Sequence, residues 1–297
     1  MRDNINHNRP IGVFDSGVGG LTVLKALRAY LPYEDYLYLG DTARLPYGIK
    51  SAETVQSYAL QAADILHHRG VKALVVACNT ASSVALEALQ QSFQSIPVIG
   101  VVLPGAKACV EAAPHGRIAV IATESTVSWG AYPNAIFALN PQATVIQSPC
   151  SLLVPLVEEG WIEGELVGKI VEKCLAPLLE KLAGMSPDCL LLGCTHFPLL
   201  KNVIEKVIGP HITIIDSADA TARVLHKTLL QTQALCDRNA PGKVHFLATD
   251  GLSRFEKVAK IFLKEPILSQ ALELVSLSPK DNFDSSKYQN VGVTFPM

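Results

Sequence analysis

The sequence contains no C-x-x-C pair, no surplus of basic charge and no apolar run near the roughly 18 residues needed to cross a bilayer. Its seven cysteines, at positions 78, 109, 150, 174, 189, 194 and 236, form an odd set. Without paired spacing, such a set argues against a disulfide framework and against a structural zinc site. Reduced thiols are expected, most of them buried as small apolar side chains. Lysine and arginine number 25 against 27 aspartate and glutamate, a net charge of −2. Nothing in that balance grips a phosphate backbone, so a nucleic-acid partner is not expected. The segment MRDNINHNRP is polar and lacks the roughly 7 to 15 apolar residues of a signal-peptide core. With no membrane association in view, a cytoplasmic protein is expected.

What is present is a chain of 297 residues, 49% hydrophobic, long enough to bury a large core as two domains or one large α/β domain. Short apolar runs alternate with longer amphipathic stretches, the pattern of strands and helices around a parallel sheet. Strands are predicted at IGVFD (11 to 15), YLYLG (36 to 40), ALVVAC (73 to 78), PVIGV (97 to 101), RIAVIA (117 to 122), ATVIQ (143 to 147), CLLLGC (189 to 194), ITIID (212 to 216) and VHFLA (244 to 248). Several are apolar on both faces, as buried parallel strands are. Val55, Tyr58, Ala59, Ala62 and Leu66 recur at helical spacing behind Ser51, which predicts a capped helix over 51 to 69 with one face packed on the core. From about 278 the alternation stops in a stretch rich in Ser, Asn, Asp and Lys, read as a loosely ordered tail.

Two segments repeat one design: ALVVACNTAS (73 to 82) and LLLGCTHFPL (190 to 199) each run from an apolar strand to cysteine, then threonine, then a helix start. Sites in open α/β sheets form at the carboxyl ends of strands, where both Cys78 and Cys194 fall. Either cysteine alone reads as a buried strand end; the repetition favours a functional pair. Helix N-terminal amides stabilise a thiolate and depress its pKa, and Asn79, Thr80 and Pro198 suit such termini. Inverting a carbon centre needs one group to take a proton from one face and another to deliver one to the opposite face. Two thiols meet that need, and no lysine sits in comparable surroundings for a pyridoxal Schiff base. Cofactor-free proton transfer is the reading.

Gly17, Gly19 and Gly20 open a helix running to about Leu31, and such a turn presents amides to a carboxylate or phosphate. A dinucleotide site is the rival, with Asp41 near the place of a ribose-binding acid. The G-x-G-x-x-G pattern from Gly17 fails, however, because residue 22 is threonine. Asp15 either caps the helix that follows or relays the Cys78 proton. The polar loop GDTARLPYG (40 to 48) is placed to line a small-ligand pocket. His196, two residues from Cys194, also fits a cysteine hydrolase pair, a zinc site or a structural histidine. One turn rarely supplies two metal ligands, and a hydrolase leaves Cys78 without a role.

Taken together, DSGVGGL (15 to 21), GDTARLPYG (40 to 48), ACNTAS (77 to 82), PLVEEG (155 to 160) and LLLGCTHFPLL (190 to 200) resemble the glutamate racemase family, in matching order over residues 10 to 275. The resemblance implies a cofactor-independent isomerase that makes D-glutamate for bacterial peptidoglycan. It implies two similar α/β domains, each a mainly parallel sheet flanked by helices, with the active site between them. By that likeness residues 10–101 with 217–277 form the first domain and 102–216 the second, leaving 278–297 as a tail without a role. Mapped by motif, Cys78 and Cys194 exchange protons on opposite faces, the first serving the D-form by analogy. Asp15 would assist Cys78, and Glu158 with His196 would assist Cys194, Glu159 being the alternative on a one-residue slip. Substrate contacts carried over are Asp15, Ser16, Tyr47, Gly48, Asn79, Thr80, Thr195 and His196. No metal or cofactor is implied; the partner is a small-molecule substrate, and a homodimer is left open. Two alternatives stand beside glutamate: an aspartate racemase with the same cysteine pair, and a two-lobed ligand-binding protein with structural cysteines.

Overall fold

The computed structural model describes residues 7–277 apart from residue 183; the tail expected from 278 lies outside the described residues. In chain order the first elements are β1 (Ile11–Asp15), α1 (Leu21–Tyr30), β2 (Tyr36–Gly40), α2 (Ala52–His68), β3 (Ala73–Val76), α3 (Asn79–Val84), α4 (Leu86–Ser92) and β4 (Val98–Gly100). They continue as α5 (Val102–Ala112), β5 (Arg117–Ala122), α6 (Glu124–Ser128), α7 (Ala131–Leu139), β6 (Thr144–Pro149), α8 (Leu153–Glu158), α9 (Glu165–Lys181) and β7 (Cys189–Gly193). The last are α10 (Lys201–Ile208), β8 (Thr213–Asp216), α11 (Ala218–Gln231), β9 (Val244–Ala248), α12 (Leu252–Leu263) and β10 (Leu272–Leu274).

The strands form two sheets, one ordered β10-β9-β2-β1-β3-β4 and the other β6-β5-β7-β8. Every pairing is parallel. The fold is α/β, as the alternation predicts. Parallel strands must be joined by crossovers, and helices placed on both faces bury β1, β2, β3 and β7 completely. One apolar cluster runs without a break from Ile11, Val13 and Val75 of the first sheet to Ile121, Leu190 and Leu192 of the second, through Leu24 and Leu225. Separate clusters fill the outer face of each sheet.

The differences from expectation are local. β3 stops at Val76, so Ala77 and Cys78 already belong to the turn. α2 begins behind Ser51, whose hydroxyl accepts from the Thr54 amide at 3.3 Å, as the capping reading predicts. β10 is absent from the sequence reading: three residues on a sheet edge, half exposed, carry no periodic signal. Among the described residues, no helix is long and apolar enough to cross a membrane.

At the lower edge of the first sheet, Lys72 is fully buried with its Nζ 2.5 Å from Glu34 Oε2, and it also donates to the His7 carbonyl at 2.6 Å. Glu34 Oε1 accepts from the Cys236 amide at 2.8 Å. This pair ties the start of β3 to the loop before β2 and to the segment after α11.

Candidate active site

β1, β3 and β7 end side by side at the seam between the sheets, and their turns carry the two thiols. Cys78 is itself the N-cap of α3: its sulfur accepts from the Ala81 amide at 3.5 Å and its thiol donates to Ser16 Oγ at 3.5 Å. The expected depression of this thiol is not what the structure gives. Burial pushes Cys78 up to about 12, with the Asp15 charge adding to the rise and the Ser16 and Ala81 hydrogen bonds only partly opposing it. A short helix terminus does not offset loss of water around an anion.

Asp15 is buried at the tip of β1. Its Oδ2 accepts from the Gly17 amide at 2.9 Å, while Oδ1 is buried without a partner among the described residues. Burial raises its pKa, opposed by the charge of His196 and by the Gly20 and Gly17 amides. The Gly17 amide of the glycine turn is thus engaged by Asp15. The glycines also serve close approach: a methyl group at Gly19 would lie 2.3 Å from Thr195 Oγ1 and 2.4 Å from His196 Nδ1, and one at Gly20 2.6 Å from the Asp15 Cβ. Thr22, which breaks the dinucleotide pattern, donates to the Thr195 carbonyl at 3.0 Å and so ties the glycine turn to the second cysteine turn.

Cys194 is buried, with its sulfur 3.8 Å from His196 Nδ1. Here the chain enters a short 3-10 turn, Phe197–Leu200, with Pro198 in it, before α10 begins. His196 Nε2 lies 3.0 Å from Glu158 Oε1 at the end of α8. Burial disfavours the imidazolium, yet Cys194 and Glu158 outweigh it and raise His196 to about 10. The neighbouring Glu159 is exposed and pairs with Arg254 at 3.0 Å, so the register puts Glu158, not Glu159, on His196. The two halves sense each other: Cys194 contributes to the upward shift of Cys78, and His196 and Glu158 act on Asp15.

The other expected residues surround this pair in different ways. Asn79 Oδ1 accepts from the Tyr132 hydroxyl at 2.5 Å. Thr80 Oγ1 lies 3.1 Å from Thr123 and 3.4 Å from Thr126, a buried hydroxyl trio spanning the two sheets. Tyr47 turns its hydroxyl onto Asp41, which leaves only its main chain to face a ligand. Gly48 packs so tightly on Thr123 that a methyl there would sit 2.8 Å from its Cβ, and its carbonyl accepts from Ser125 at 2.6 Å. Thr123, Thr126, Ser125 and Tyr132 escape the sequence reading. The available signal was the end of β5, the one place in the second sheet where a strand leads into a run of hydroxyl residues without a cysteine. No group of three His, Cys, Asp or Glu side chains able to hold a metal occurs among the described residues.

Glu158→Gln is expected to lower the pKa of His196. In the intact protein the paired imidazolium contributes stability that is complete below an ordinary histidine value of about 6.5 and is lost as pH rises through about 10. The variant should lose it at lower pH. Histidine NMR titration reads the shift directly, and an unchanged His196 midpoint would contradict the pairing.

A fold of parallel sheets with two buried, separately supported thiols meeting at one seam defines a site for acid–base chemistry on a small molecule. The chain belongs to the Asp/Glu/Hydantoin racemase family, whose pattern it matches over residues 12–225. It is 48% identical over 255 residues to a glutamate racemase of Geobacter metallireducens, covering 86% of this chain and 93% of that one. Its fold superposes on a glutamate racemase isoform of Bacillus anthracis with a TM-score of 0.86 at 40% identity, covering 92% and 99% of the two chains. The glutamate racemase of Francisella tularensis, solved in complex with D-glutamate, gives a TM-score of 0.84 at 37% identity, covering 93% and 100%.

Proposed function

We infer that the protein interconverts L- and D-glutamate by proton transfer between two cysteines, without a cofactor, and supplies D-glutamate for peptidoglycan. The observation that carries the reading is the pairing of two supported thiols at one buried seam: Cys78 with Ser16 and Asp15, and Cys194 with His196 and Glu158. One sulfur, as thiolate, removes the α-proton and becomes a thiol. The other, starting as a thiol, delivers its proton to the opposite face and becomes a thiolate. The net change is inversion, with one proton taken and one given.

The two helpers suit these steps. A buried Asp15 with a raised pKa holds a proton readily, and it exchanges that proton with Cys78. The His196–Glu158 pair places a positive charge 3.8 Å from the Cys194 sulfur, where it faces the sulfur that gives or takes the proton. By analogy Cys78 acts on the D-form and Cys194 on the L-form. Asn79, Thr80, Thr195, Ser16 and the main chain of Tyr47 and Gly48 hold the two carboxylates and the ammonium. Both sulfurs are buried, so substrate enters when the two sheets part at the seam. The units that move are proposed as residues 10–101 with 217–277 against 102–216, working in the cytoplasm, with homodimerisation as the proposed assembly.

Purified protein without added cofactor should convert L-glutamate to the D-form, followed by circular dichroism, and should act on aspartate far more slowly when the two are run side by side. No change in the glutamate signal would overturn the reading, and faster turnover of aspartate would reassign the substrate.

A further inference from the structure

Tyr132 touches both cysteine turns. Gly130, in the left-handed region at φ 62°, turns the chain out of α6 and into α7, whose second residue is Tyr132. The ring lies fully buried against the backbone of Gly193, the residue before Cys194: a methyl there would come within 2.8 Å of a ring carbon. On another side, a methyl at Gly105 would come within 3.4 Å of it. The hydroxyl then reaches across the seam and donates to Oδ1 of Asn79, the residue after Cys78, at 2.5 Å.

A phenol hydroxyl has a single proton. Burial pushes the ionisation of Tyr132 far up, so the group stays neutral and keeps that proton. The phenol gives that proton to Asn79, and a carboxamide receiving it must present its oxygen to Tyr132. Its Nδ2 then points the other way, where it is buried with no partner among the described residues. An unmet buried donor beside a thiol is costly unless an acceptor arrives.

We propose that Tyr132 is a positioning residue that fixes the Asn79 amide with Nδ2 toward the substrate, so that a substrate carboxylate oxygen accepts its hydrogen bond. The proposal rests on the amino-acid racemase reading for the identity of that acceptor; the orientation of the amide does not depend on it. Because the same ring bears on Gly193, Tyr132 holds the first cysteine turn at a fixed distance from the second.

Tyr132→Phe keeps the ring and removes the hydroxyl. It is expected to raise KM about tenfold for both enantiomers of glutamate, the loss of one oriented hydrogen bond, with a much smaller change in kcat. In an Asn79→Ala background the same substitution should add nothing, because Tyr132 acts through that amide. A purely structural role would lower thermal stability and act equally in both backgrounds. Independently of activity, the Asn79 side-chain amide should give one protected pair of ¹⁵N-bound proton signals in the unliganded protein, and Tyr132→Phe should make them exchange fast. Unchanged KM, equal effects in the two backgrounds or unchanged amide protection would each overturn the proposal. If the intact protein racemises nothing while the amide loses protection as expected, the proposed reaction falls and the positioning role stands.

Discussion

Replacing Cys78 or Cys194 by alanine is expected to lower racemisation in both directions by at least about 10⁴-fold, the upper range for removal of a positioned acid or base. The loss is two-sided because each direction needs both thiols, one to take the proton and one to give it. Exchange without inversion should survive one-sidedly. In Cys78→Ala the intact Cys194 still removes the α-proton from one enantiomer and returns a solvent proton to the same face. Cys194→Ala should do the same for the other enantiomer. NMR of the α-proton in deuterated water reads both at once. A variant that racemises at more than a few per cent of the parent rate, or one that exchanges both enantiomers alike, would contradict the assignment of one thiol to each face. Circular dichroism matching the parent keeps misfolding out of the result, and retained function in both variants would favour a binding protein with structural cysteines.

Lys72→Ala is expected to destabilise the fold by about 3 to 5 kcal/mol without touching the site. The lysine is fully buried, and its removal strands the Glu34 carboxylate in the same dry environment, with the Cys236 amide as its remaining hydrogen-bond donor among the described residues. Lys72→Met with Glu34→Gln should recover much of the loss, because the penalty comes from the unpaired charge more than from the missing attraction. Urea unfolding of the three proteins measures this. A single substitution that shifts the midpoint by less than 1 kcal/mol equivalent would show that water reaches Glu34 and that the pair is not sealed.

Much of the fold was legible because the strands that build the two sheets are buried on both faces and read as unbroken apolar runs, IGVFD, YLYLG and CLLLG among them. The site was legible where a residue's role is written beside it in the chain. Cys78 and Cys194 end strands, and His196 stands two residues from the sulfur it approaches. Glu158 needed the family likeness, since nothing nearby in sequence separates it from Glu159; the partner that does, His196, comes from another element.

What sequence did not show is what arrives from across the seam. The glycines of the first turn read as an anion cradle, but Gly19 is small because Thr195 and His196 press on it. Tyr132 and Thr123 carry no motif, and their use lies in the Asn79 and Thr80 they meet. The direction of the Cys78 shift was missed for the same reason: a capping position is local, whereas burial is a property of the assembled seam.

The most direct test of two-thiol inversion is to start the intact protein on L-glutamate in deuterated water and analyse both enantiomers early in the reaction. With two bases, the D-glutamate formed carries deuterium at the α-carbon from the first turnover, while the remaining L-glutamate stays almost free of it. Deuterium entering the L-form as fast as the D-form would mean that a single base serves both faces, and an unlabelled product would mean that no solvent-exchanged thiol delivers the proton.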